Sequence, residues 1–110
     1  LSAFYASKGM DVCYQVNNTV AIAEIYKLKG IIAKKQFEFQ LAEEYFKASL
    51  RLNNELNNEL NFAETAVELG LLYQELNIDK SYEFHFNKAL EFYEKIGAED
   101  KISEIKGYLN

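Results

Sequence analysis

The 110-residue chain contains no proline and no tryptophan, one cysteine, one histidine and five glycines. With no proline and few glycines, nothing in the composition forces short elements or interrupts long helices. One cysteine excludes an internal disulfide, and with a single histidine it falls short of a zinc ligand set. No cofactor is expected on these residues, and nothing in them calls for an oxidising compartment, so the expected location is cytoplasmic. Basic residues are also scarce, 12 against 17 acidic ones for a net charge of −5. No basic stripe is available for a phosphate backbone, so nucleic acid is not an expected partner. No apolar run approaches the roughly 18 residues of a membrane span, and no membrane partner is expected either. A phosphate-binding loop, a nucleophile elbow and metal-ligand spacing are all missing, which leaves no enzyme class with a motif to support it.

What is present is a folding composition, 49% hydrophobic with eight tyrosines and eight phenylalanines. Rich in Leu, Glu, Lys and Ala, it favours helices in one all-α domain over residues 1–110. The chain also repeats itself. Shifted by forty residues, Ala23 falls on Ala63, Glu24 on Glu64, Gly30 on Gly70, Phe46 on Phe86, Leu50 on Leu90, and Asn17-Asn18 on Asn57-Asn58. Self-similarity at such a spacing marks stacked repeats, in which no unit buries its apolar face alone.

Apolar residues at helical spacing predict six helices. The first covers about Leu1 to Val16 and ends at Asn17-Asn18, with Thr19 capping the next. The second runs from Val20 to Lys34 and the third from Glu38 to Leu56. The fourth spans Glu59 to Leu76, the fifth Asp79 to Ile96 with Asp79 as N-cap, and the sixth Glu99 to Leu109. The order is therefore one outer helix of a partial repeat (1–16), full repeats at 20–56 and 59–96, and an opening helix at 99–110. Short connections make neighbouring helices antiparallel. The chain starts at Leu1 inside a helical pattern, which reads as a piece of a longer protein.

Both full units resemble the tetratricopeptide repeat. Leu69-Gly70, Tyr73, Phe86 and Ala89-Leu90 match that family's positions in the second unit; Tyr26, Gly30, Ala42, Phe46 and Ser49-Leu50 match them in the first. The departures are a step of forty residues and the absence of closing prolines. Tyr82 also stands where the first unit has Ala42, and Ala66 where it has Tyr26. Volume conserved across a packed pair is tolerated, so the Tyr82 ring is expected near Ala66. The resemblance implies helix pairs stacked as a right-handed superhelical solenoid, with the inner (A) helices lining a concave surface.

On that surface the resemblance places Glu24, Lys27, Leu28, Ile31, Lys34 and Lys35 from the first unit. Glu64, Val67, Glu68, Leu71, Gln74 and Glu75 come from the second. An apolar middle with basic and acidic flanks suits a peptide or partner helix with a hydrophobic anchor. The same lysines and glutamates could instead pair across the repeat boundary. Ile31 and Glu68 occupy places where a carboxylate-clamping tetratricopeptide domain needs asparagine, which speaks against recognition of chaperone tails. His85, between Phe84 and Phe86, reads as a surface residue, Cys13 as a packing residue, and Glu99-Asp100 as favourable charge at a helix start.

The expected function is a non-catalytic protein-protein interaction module or scaffold. The alternatives are a peptide-responsive sensor domain of a bacterial regulator or signalling protein, and a self-associating repeat whose last helix leaves Ile102, Ile105 and Leu109 bare.

Overall fold

The computed structural model describes residues 12–78 and 81–110. Over these residues the chain forms five helices, α1 (Val12–Lys35), α2 (Phe39–Glu55), α3 (Glu59–Leu76), α4 (Ser81–Ile96) and α5 (Glu99–Leu109). Each packs on its neighbours in sequence, and α1 also touches α3. The Cα extents, 51 × 34 × 19 Å, describe a slab about two helices thick.

The two units are packed alike. A Cβ placed on Gly30 would lie 2.5 and 2.6 Å from Cε1 and Cδ1 of Phe46, and one on Gly70 would lie 2.7 and 2.9 Å from the same atoms of Phe86. Both rings are fully buried. Glycine is required at each position because the aromatic ring of the second helix of each pair rests on the backbone of the first. Phe46 then continues into Leu69, Leu72 and Tyr73 of α3, and Phe86 into Ile105 of α5. Phe86 also stacks on Tyr108, 5.5 Å between ring centroids. Tyr82 leans against both core clusters and meets Phe86 edge-on, so its ring joins the layers and does not face solvent.

The helix ends are spaced as regularly as the glycines. Phe37, Asn57, Asn77 and Gly97 all have positive φ, in steps of twenty residues. At each, the following N–H reaches back to a carbonyl five residues earlier: Glu38 to Ala33, Asn58 to Asn53, Ile78 to Tyr73 and Ala98 to Tyr93, all 2.9–3.0 Å. That pattern satisfies the last carbonyls of a helix and reverses the chain. Asn58 then caps α3, its side chain accepting from the Asn61 N–H at 3.2 Å.

Two expectations are corrected. Helix α1 runs unbroken through Asn17, Asn18 and Thr19, with no boundary there. Asparagine permits the left-handed conformation that ends a helix but costs under about 1 kcal/mol inside one, so it cannot compel a break. Ile105 is not bare: it is fully buried against α3 and α4, and Ile102 and Leu109 are half-buried around the same cluster. The apolar stripe of α5 points back onto the preceding pair, leaving Asp100, Lys101, Ser103, Glu104 and Lys106 exposed. The expected caps and contacts involving residues 1–11 and Asp79 lie outside the described residues, as does the side chain of Cys13.

Candidate functional site

Helices α1, α3 and α5 border a cavity of about 320 Å³, with Leu28, Ile31, Val67, Leu71 and Ile105 as apolar lining and Lys27, Glu64, Glu68, Lys101 and Glu104 around them. A second cavity of about 350 Å³ adjoins it through the shared Ile31 and Glu68, and adds Lys34, Lys35, Phe37 and Glu75. Of the residues expected on this surface, Lys27, Ile31, Lys34, Lys35, Glu64, Val67, Glu68 and Leu71 are brought together here. Gln74 is diverted, its Nε2 donating to the Tyr108 carbonyl at 2.7 Å and tying α3 to α5.

Cross-repeat pairing takes up part of the charge. Lys27 Nζ lies 3.0 Å from Glu64 Oε1 and 3.2 Å from Glu24 Oε2. Burial disfavours its ammonium form, yet the two carboxylates outweigh that and hold its pKa above the ordinary lysine value. Lys34 reaches Glu75 at 3.8 Å. Among the described residues no cation stands within salt-bridge distance of Glu68. The first cavity therefore holds two cations, Lys27 and Lys101, against three carboxylates, Glu64, Glu68 and Glu104. The phenols report the resulting field. Burial first, and then the Glu64 and Glu104 charges, raise the pKa of Tyr93. Tyr108 is raised by burial, by its 3.0 Å bond to Glu104 and by Glu104 and Glu68 as charges.

Sequence reasoning missed the α5 wall of Lys101, Glu104 and Tyr108, although the period contained it: Glu24, Glu64 and Glu104 stand forty residues apart. It also missed Phe37. That residue is 76% exposed, holds a φ of 63° and lines the second cavity beside Lys34 and Lys35. A bulky residue in the left-handed region costs about 1–2 kcal/mol, and the mostly exposed ring has only an edge-on contact with Phe39, 6.0 Å between centroids, to set against it.

His85 lines neither cavity. It lies against Tyr73 and Phe84 at 5.5 and 5.2 Å, and burial and then the Lys47 charge lower its pKa. Among the described residues, no group of three His, Cys, Asp or Glu side chains is arranged to hold a metal ion. No helix there is long and apolar enough to cross a membrane. Compared with family models, curated proteins and solved structures, the chain matches none.

Proposed function

We propose that this chain is a protein-interaction module of the tetratricopeptide type, its helix pairs forming part of a right-handed superhelix. The recurrent seating of Phe46 on Gly30 and of Phe86 on Gly70 supports that reading of the fold. The partner is a peptide or helix carrying an apolar side chain for the Ile31, Val67 and Leu71 floor and a lysine or arginine for Glu68. The observation that carries this is the groove's charge balance. Lys27 and Lys34 pair with glutamates of the next helix pair, whereas among the described residues no cation lies within salt-bridge distance of Glu68, at the junction of the two cavities. Affinity would come from the buried anchor and selectivity from the charge.

A displayed peptide library tests this directly. The unaltered chain should enrich peptides with an aliphatic or aromatic anchor and a basic residue nearby. Glu68→Lys lies on the surface and should switch the enriched charge to acidic at unchanged fold stability. Identical peptide sets from both proteins would exclude Glu68 as a recognition group, and no enrichment at all would remove the groove as a binding site.

A further inference from the structure

The four helix ends with positive φ carry three residues suited to it and one that is not. Asn57, Asn77 and Gly97 hold φ values of 56°, 56° and 71°, and Phe37 holds 63°. Asparagine and glycine enter the left-handed region at little steric cost, whereas a bulky side chain opposes it. Packing does not account for the exception. No large apolar side chain among the described residues is more exposed than Phe37, at 76%, and its ring partner there is Phe39, met edge-on at 6.0 Å. The corner does not need the ring either. Its closing bond, from the Glu38 N–H to the Ala33 carbonyl, is a backbone contact, and the corner at Asn57 makes the same bond from Asn58 to Asn53. Backbone strain of this kind clusters at ligand clamps, where the side chain is kept for what it touches and not for the fold.

Its position supplies the contact. Phe37 lines the cavity that continues the groove past Glu68, together with Ile31, Lys34, Lys35 and Glu75. Lys34 is taken up by Glu75 at 3.8 Å. Lys35 is exposed, two residues from Phe37, and among the described residues no carboxylate stands within salt-bridge distance of it. The groove is therefore polarised along its length. On the α5 side of Glu68 carboxylates outnumber cations, and beyond Glu68 the charge left over is that of Lys35.

We propose that Phe37 is a contact residue for the partner peptide, an assignment that rests on the groove being the peptide site and deepens it. The ring seats a second apolar side chain, and an aspartate or glutamate next to that side chain meets Lys35. The matching peptide thus carries its basic residue at Glu68 and an apolar–acidic pair beyond it. A ring held out by a hydrogen-bonded corner is presented before binding and loses less freedom on contact than one on a loose loop.

Labelled peptides enriched on the unaltered chain, titrated by fluorescence anisotropy, test this. Phe37→Asn should unfold at a higher urea concentration and yet bind them at least about fivefold more weakly, the loss expected of an aromatic contact residue. Phe37→Tyr keeps the aromatic face and should bind as the unaltered chain does. When the selection is repeated on Lys35→Glu, the acidic preference should turn basic while the basic residue for Glu68 is retained. Enriched peptides that bind Phe37→Asn as tightly as the unaltered chain would overturn the role of Phe37 and leave the groove standing; no enrichment on the unaltered chain would remove both. A fall in stability and binding together would make the ring a structural part of the corner and overturn the proposal. So would a dimer in sedimentation that Phe37→Asn dissolves, because the ring would then serve a second copy.

Discussion

Adding a single methyl group at Gly30 tests the packing that defines both units. Its carbon would sit 2.5 Å from the Phe46 ring, more than 1 Å inside ordinary carbon–carbon contact. The ring cannot retreat, because it is fully buried and wedged against Leu69 and Leu72 of α3. Overpacking of this kind costs about 1–3 kcal/mol, and the tightness here argues for the upper part of that range. Replacing glycine inside a helix returns about 1 kcal/mol in backbone propensity. Gly30→Ala should therefore destabilise by about 2 kcal/mol, and Gly70→Ala by slightly less because its closest contact is 2.7 Å. Gly107 supplies the control: a Cβ there meets nothing within 4 Å, so Gly107→Ala should stabilise by about 0.5–1 kcal/mol. Urea unfolding followed by helical circular dichroism measures all three. In a double-mutant cycle, Phe46→Leu should cost less in the Gly30→Ala chain than alone, by about 1 kcal/mol. If Gly30→Ala stabilised the chain as Gly107→Ala does, the ring would not rest on the backbone and the equivalence of the two units would fail.

Phe37→Asn should raise stability by about 1 kcal/mol, since asparagine accepts the left-handed conformation that Asn57 and Asn77 already show; denaturant midpoints that fall instead would mean the exposed ring is stabilising. Tyr73 donates to Glu43 at 2.5 Å, and that bond above all lowers the Glu43 pKa below its usual 4.5. Because the carboxyl value is depressed in the fold, the contribution is present above pH 4.5 and disappears as pH falls through the folded value. Tyr73→Phe should accordingly cost about 1 kcal/mol at pH 7, and the gap to the unaltered chain should narrow at pH 3; a gap that does not change with pH refutes the linkage. Asn53 Oδ1 is buried with no hydrogen-bond partner among the described residues. Asn53→Leu should thus be stabilising by about 1 kcal/mol, and a comparable loss in thermal or urea unfolding would show that the oxygen is satisfied.

The helical class, the forty-residue step and the equivalence of Gly30 with Gly70 and of Phe46 with Phe86 were legible because each rests on several positions recurring at once; that each ring rests on its glycine was not read. The bounds of α3 and α5 were readable for a local reason: Asn58 and the acidic pair Glu99-Asp100 are strong start signals. Phe37 was not readable as a terminator. Nothing about phenylalanine favours positive φ, and only the hydrogen bond from Glu38 to Ala33 and the return of α2 onto α1 hold it there. The reverse error occurred at Asn17, where a permissive residue was taken for a directive one. Groove floor residues followed from the tetratricopeptide resemblance, but the charge balance did not. Which glutamate meets which lysine depends on side-chain reach between helix pairs, and periodicity does not contain that. Ile105 was misjudged because burial depends on which side of a helix meets the previous pair, and the apolar spacing of α5 alone does not say which side that is.

Because every described hairpin reverses at the same twenty-residue interval, the phase of each rod is reset at its own corner. One extra residue inserted mid-rod would rotate all side chains beyond it by about 100° and strip them from their neighbours, but only as far as the next reversal. The same extra residue placed just after position 57 or 97 would leave both flanking rods in phase. Length variation in such a chain is thus steered to its corners, where each module can change without retuning the others.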